Sequence, residues 1–299
     1  MNRRVNDILI TIDVEDWFQV ENFKQYIPFS SWPSCELRIE KNTYRLLDLL
    51  DSFTGSRTNK RSLGGKVRGT FFVLGWIAER LPHLVKEIHA RGHEVASHGY
   101  QHRLCGECSS QDLRTDLIES KKRLEDIIAA PIYGYRAPSF SINDGILKLI
   151  EECGYLYDSS FNSFGMHGRY GQVDLSRAGK NGIAAKISDQ FYELPISNIN
   201  LGNHILPWGG AGYFRLIPFS LFKLGVRSIL RKENAYTFYL HPWEIDPDQP
   251  KVRESNIFFK FRHYANLNKT LIKLAALIEA FKCCRFVTCR EYLNEHKHV

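Results

Sequence analysis

The chain has 299 residues, long enough for one large α/β domain or two small ones, and its 43% hydrophobic and 24% charged content is that of an ordinary globular protein. A net charge of +7 with pI about 9.0 attracts anions in general, yet no zinc-finger or RNA-recognition pattern accompanies it, so nucleic acid is not an expected partner. No run approaches the roughly 18 apolar residues of a membrane-spanning helix, and 7 cysteines, an odd number that includes adjacent Cys283 and Cys284, point to reduced thiols and a cytoplasmic chain rather than a disulfide framework.

In chain order, MNRRVNDILITIDVEDW is basic at its start but lacks the apolar stretch of a secretory signal. ILITID (8–13) reads as a strand that ends in an acidic loop, and 40–53 as a helix with Leu46, Leu47, Leu49, Leu50 and Phe53 on its apolar side. Residues 54–68 are polar, basic and Gly-rich, an exposed loop. GTFFVLG (69–75) is a buried strand, 76–91 a helix ended by Gly92, and EVASHG (94–99) another strand. Cys105 and Cys108 form a single CxxC with no second pair, which reads as chance spacing rather than a zinc knot. A helix over 110–129, a strand over 133–139, a helix over 143–153 and a strand over 156–160 follow. Residues 162–190 are irregular, FYELPIS (191–197) is a strand, and PWGGAGYFR (207–215) lies in a loop. The chain closes with a helix over 217–232, a strand over 235–243, a long helix over 262–282 and RFVTCREYL.

Strand and helix alternate throughout, which means parallel strands joined by right-handed crossovers. The length fits a (β/α) barrel, and the absence of a Gly-rich phosphate fingerprint after the first strand argues against a dinucleotide fold. Asp13, His98, Arg136, Asp158 and His241 each fall at the C-terminal end of a different predicted strand. In a parallel barrel those ends meet at one mouth, where active sites lie.

His98 and His102 are spaced to present both rings to one side and grip one cation. Alone the pair is weak, and two loop histidines bonded to backbone would look the same. The carboxylates Asp13, Glu15 and Asp16 strengthen it, because such a cluster repels itself unless solvated or neutralised. Two imidazoles and a carboxylate leave positions open for water, the pattern of a catalytic metal site, with zinc as the first expectation and Co2+, Mn2+ or Fe2+ as alternatives.

These residues, in this order, resemble the polysaccharide deacetylases of carbohydrate esterase family 4, which share a domain with the rhizobial nodulation-factor enzyme. The resemblance rests on TIDVED (11–16), GTFFVLGWIAERLPHLVKEIHARGHEVASHGYQH (69–102), YRAPSF (135–140), YDSS (157–160) and LHPWE (240–244). DVEDWF (13–18) and RHYANLNKT (262–270) are most similar to the branch associated with exosortase and exopolysaccharide gene clusters. The resemblance implies one distorted (β/α) barrel of about seven parallel strands over 1–299, with a family-specific C-terminal extension at about 245–299. It implies that Asp13 is the catalytic base, Arg136 its partner, His98 and His102 metal ligands, and His241 the general acid. Where the commoner motif has a second aspartate, this chain has Val14; a related Asp-x-Asp branch moves that ligand to Glu15, with Asp16 as competitor. Asp158 and Glu193 are both candidates to support His241.

The implied reaction is metal-dependent hydrolysis of N-acetyl groups on amino sugars of an exopolysaccharide or its lipid-linked precursor, with an oxyanion donor near Phe140. Hydrolysis of cyclic amides or ureides on the same barrel is the first alternative, and an inactive carbohydrate-binding relative the second. Trp17, Trp208 and Trp243 would suit a sugar groove. Residues 217–232 offer Phe219, Phe222, Val226, Ile229 and Leu230 as an apolar side and Lys223, Arg227 and Arg231 as a basic stripe. Such a helix suits peripheral contact with an anionic membrane at the inner face, or an ordinary barrel wall with a solvated edge. Oligomeric state is not readable.

Overall fold

Strand β1 (Asp7–Val14) is buried along its whole length, as a central parallel strand covered on both faces must be. Its side chains alternate. Ile8, Ile10, Ile12 and Val14 pack under helices in the larger apolar cluster, whereas Leu9 belongs to a second cluster with Phe72, Ala96 and Tyr157. Thr11 and Asp13 share the period of Leu9, so the same strand that supplies core on one face supplies chemistry on the other. The computed structural model describes residues 5–53, 66–165, 170–202 and 204–296. Most of the loop read at 54–68 therefore lies outside the described residues.

The further strands are β2 (Gly69–Val73), β3 (Glu94–Ser97), β4 (Gly134–Tyr135), β5 (Tyr157–Asp158), β6 (Gly179–Asn181), β7 (Ala184–Lys186), β8 (Tyr192–Glu193), β9 (Asn198–Leu201), β10 (His204–Pro207), β11 (Ala235–Leu240) and β12 (Arg285–Phe286). The sheet runs β11-β1-β2-β3-β4-β5-β8, seven strands with every neighbour parallel. It continues antiparallel through β7 and β6, and β12 pairs with the start of β1. The two ends of the parallel run are stitched by irregular chain: Ser197 N–H donates to the Thr237 carbonyl (3.3 Å) and Tyr239 N–H to that of Gly209 (2.7 Å). The result is a single mixed α/β domain with a curled, incompletely closed barrel, as the alternation predicts.

The helices are α1 (Ile39–Ser52), α2 (Gly75–Arg80), α3 (Pro82–Ala90), α4 (Ser110–Ile128), α5 (Asp144–Glu152), α6 (Ala211–Leu216), α7 (Phe219–Glu233), α8 (Ile257–Tyr264), α9 (Leu267–Ala280) and α10 (Cys289–His296). Two predicted helices are broken. Leu81, forced out of helical conformation ahead of Pro82, divides 76–91. Asn266, at φ 56°, divides the C-terminal helix, which also starts earlier than expected. The irregular reading of 162–190 hides β6 and β7, and the chain before Trp208 forms the β9–β10 hairpin.

In helix α7, Phe222, Val226, Ile229 and Leu230 are buried in the core, so this side is barrel wall, while Leu221 and Leu224 are exposed. Among the described residues no helix is long and apolar enough to cross a membrane. Cys105 and Cys108 are free thiols, Cys105 buried against the Tyr135 hydroxyl at 3.4 Å.

Candidate active site

The rim of the barrel gathers what strand ends deliver. Asp13 and Asp158 lie in the last residues of β1 and β5, and His98, Arg136 and His241 immediately follow β3, β4 and β11. Beneath them the interior is apolar, closed from below by Val287, Cys289, Tyr292 and Leu293 around α10. Arg136 is wholly buried between these layers, its guanidinium carbon 4.1 Å from the Phe72 ring centre.

Every Arg136 nitrogen is engaged. Nη1 donates to Asp13 Oδ1 and to Thr11 Oγ1, each at 2.8 Å, while Nε and Nη2 donate to the Ser159 carbonyl and hydroxyl. Burial alone would raise the Asp13 carboxyl, but Arg136, His98 and His241 outweigh it and hold it below its ordinary value. Asp13 is therefore an ionised carboxylate at neutral pH, positioned as a proton acceptor.

Glu15 follows a tight reversal in which its N–H donates to the Asp13 carbonyl at 2.9 Å. That reversal brings Glu15 together with His98 and His102, one donor atom of each lying within 4.8 Å of the others. SHGYQH (97–102) is a tight loop rather than a helical turn: Gly99 (φ 71°) and His102 (φ 54°) adopt left-handed backbone, and a Cβ at Gly99 would stand 2.8 Å from Asp116 Oδ1. His98 Nδ1 lies 2.7 Å from the Arg136 carbonyl. A carbonyl only accepts, so Nδ1 carries the proton and the Nε2 lone pair is left over. Burial pushes both His98 and His102 down to about 4, keeping them neutral. Glu15 Oε2 is buried without a hydrogen bond and stands 3.1 Å from His102 Nε2. Two neutral imidazoles and a carboxylate with an uncommitted oxygen fit a divalent cation.

Asp16, the competitor for that role, is turned elsewhere. Its Oδ2 accepts from the amides of Arg38 and Ile39 at the start of α1, and its Oδ1 from the Trp17 amide. It caps a helix instead of joining the cluster.

His241 faces the cluster with Nε2, 3.0 Å from Glu15 Oε1 and 3.8 Å from Asp13 Oδ2. Its Nδ1 lies 2.9 Å from Glu244 Oε2, and Arg215 Nε donates to Glu244 Oε1 at 3.1 Å. Burial alone would lower the imidazole; the Glu15 and Glu244 carboxylates overcome that and raise it to about 10. The expected partners of His241 were Asp158 and Glu193, and this is corrected. Those carboxyls sit at adjacent strand ends, Asp158 receiving Ser160 and Glu193 the Phe161 amide, and they face each other. Burial and the neighbouring Asp158 push Glu193 well up. Glu244 was legible only as part of LHPWE; Pro242 starts a 3-10 turn (Pro242–Ile245) that folds it back onto His241.

The cleft above the cluster is walled by Phe140, Tyr170, Tyr239 and Trp243, with Arg262 and His263 at its side. Trp17 and Trp208 do not contribute, being buried with their ring N–H groups on the carbonyls of Glu36 and Phe222. The Phe140 amide, near the expected oxyanion donor, is spent on the Ala137 carbonyl at 2.9 Å.

A parallel-strand barrel with an acid–base pair around a cation-binding donor set is the general arrangement of a hydrolytic metal site. The comparisons narrow the class. Residues 64–157 match the family model described as Polysaccharide deacetylase, and 159–294 match one described as Domain of unknown function (DUF3473). A peptidoglycan-N-acetylglucosamine deacetylase of Bacillus cereus is 34% identical over 90 residues, 30% of this chain and 42% of that protein. The chain thus matches less than half the length of this curated relative. Among solved structures, a "putative polysaccharide deacetylase" of Mycobacterium smegmatis shares the fold at TM-score 0.59 and 20% identity, covering 99% of this chain and 91% of that one. Puue allantoinase shares it at TM-score 0.59 and 13% identity, covering 98% and 92%. The family model and the relative support the resemblance read from the sequence.

Proposed function

We propose that this chain is a metal-dependent deacetylase that removes N-acetyl groups from amino sugars of an exopolysaccharide or its lipid-linked precursor. One juxtaposition carries the reading: a two-imidazole, one-carboxylate donor set with Asp13, held by Arg136, beside it and His241 Nε2 3.0 Å from its carboxylate. The deacetylase model over 64–157 and the B. cereus deacetylase support it independently. DVEDWF (13–18) and RHYANLNKT (262–270) support the exopolysaccharide branch.

Glu15, His98 and His102 would hold the cation, zinc first among those suited to such donors and Co2+, Mn2+ or Fe2+ after it. When bound, a divalent cation polarises an acyl oxygen and lowers the pKa of water. Asp13, kept ionised by Arg136, accepts the proton as water adds to the amide carbon; a positioned base contributes about 10²–10⁴-fold. His241 gives its Nε2 proton to the departing nitrogen, while Glu244 holds Nδ1–H and the ring orientation. The C–N bond breaks, releasing acetate and a sugar amine that is cationic at neutral pH. Phe140, Tyr170, Tyr239 and Trp243 offer ring faces to the sugar.

The allantoinase likeness makes ring opening of a cyclic ureide the reading to set against this one. The test is to supply N-acetylglucosamine oligosaccharides and a cyclic ureide in parallel. Acetate and free amine in equal amounts from the first, with no ring opening of the second, is the expected result; the reverse would overturn the proposal.

A further inference from the structure

Helix α8 breaks the rule that apolar side chains go inside. Ile257, Phe258 and Phe261 are 74%, 78% and 66% exposed, while its one buried residue is His263, which turns into the cleft side. Three large apolar side chains standing out from two helical turns are a cost to a protein surrounded only by water. Beside them runs an apolar groove walled by Val252, Ile257, Phe261 and Tyr264 and rimmed by Lys251 and Arg253.

The charge around this ridge is mainly positive. From Lys251 to Ile278 Glu254 is the one acidic residue, against Lys251, Arg253, Lys260, Arg262 and Lys269, with Lys273 turned onto the Phe214 and Ile217 carbonyls. A second copy of the chain would bring like charges together, which disfavours self-association through this face. A protruding apolar ridge flanked by cations complements a soft apolar layer covered by anions.

We propose that α8 and the adjoining flank of α9 dock this protein on an anionic lipid surface. Phe258 and Phe261 enter the headgroup boundary, and Lys260 and Lys269 meet lipid phosphates. Because Arg262 and His263 on the same helix line the cleft, docking sets the cleft mouth beside the lipid. Its value for reaching lipid-linked sugars rests on the deacetylase reading, but the docking itself does not.

The test is co-sedimentation of the full chain with phosphatidylcholine vesicles, with and without phosphatidylglycerol, with no turnover measured. Pelleting is expected only with phosphatidylglycerol and is expected to weaken with salt, since charge attraction is screened over about 10 Å at 0.1 M. Phe258→Ser with Phe261→Ser should weaken binding by at least about tenfold, and Lys260→Gln with Lys269→Gln by about fivefold per cation removed. An unchanged circular dichroism spectrum establishes that each variant is folded, and Ile257→Asn is an independent probe should the phenylalanine pair fail to fold. No pelleting with either vesicle, equal pelleting with phosphatidylcholine alone, or unchanged binding by the folded phenylalanine variant would each overturn the proposal. So would a dimer that Phe258→Ser dissociates, because the face would then belong to a second copy.

Discussion

Arg136 Nη1 donates to Asp13 Oδ1 across 2.8 Å, and neither side chain has more than 3% of its surface exposed. A buried pair of this kind cannot lose one member cheaply, because the other charge is left without a partner. Arg136→Met should therefore destabilise the fold by about 3–5 kcal/mol in chemical denaturation. Asp13→Asn removes the proton acceptor and leaves the buried Arg136 without its carboxylate, so it too should lose stability; in the folded variant bound metal should remain and turnover should fall by about 10²–10⁴-fold. Loss of metal from Asp13→Asn, or near-normal turnover, would remove Asp13 from the role of base.

Glu15 and Asp16 are neighbours with different work, and metal analysis can separate them. Glu15→Gln should lower bound metal, and His98→Ala or His102→Ala should abolish it with the barrel still folded. Asp16→Asn should keep the metal and lose about 1–3 kcal/mol of stability, since Asp16 holds three backbone amides. Full metal in both histidine variants would contradict the ligand set.

The pH profile tests the other side of the site. Catalysis needs Asp13 ionised and His241 protonated, so kcat/KM should be bell-shaped. His241→Gln should remove the alkaline limb and most of the rate. Glu244 helps hold His241 above its ordinary value of 6.5, so Glu244→Gln should move the alkaline limb to lower pH. An unmoved limb in Glu244→Gln would show that Glu244 does not tune the acid.

His93 gives a prediction about stability rather than turnover. Its Nδ1 accepts from the Gly69 amide at 3.1 Å, and burial lowers it from 6.5 to about 4. The folded protein keeps this ring neutral where the unfolded chain takes up a proton. Its contribution is thus complete above pH 6.5 and is lost as pH falls toward 4, by at most about 3 kcal/mol. Metal-loaded His93→Gln should show a shallower loss in urea titrations between these pH values; an identical slope would contradict the assignment.

How far the sequence could be read depended on whether a feature was periodic. The ILITID strand placed Asp13 at its C-terminal end, and the same logic at the ends of β3, β4 and β11 put His98, Arg136 and His241 on one rim, whereas the alternation that turns Asp13 inward showed only in the packing. Short-range competition was harder to resolve. Asp16 and Glu15 look alike in sequence, and only the approach of the α1 amides to Asp16 separates them. Asp158 and Glu193 were both candidates to support His241, but their strands are neighbours and the two carboxyls meet each other. Glu244, only three residues from His241, was passed over because its approach depends on a turn after Pro242 that has no periodic signature. In α7, five apolar residues were visible, but which way that side faced was decided by packing against the barrel.

The central claim is tested most directly by turnover of an N-acetylglucosamine oligosaccharide in chelator-stripped protein, before and after a divalent cation is returned. Stripped protein should release no acetate. Zinc, or a suited alternative, should restore equimolar acetate and amine to the wild type and to Asp16→Asn, but not to His98→Ala or His102→Ala. Undiminished acetate release by the fully stripped wild type, or restored release in both histidine variants, would contradict the account.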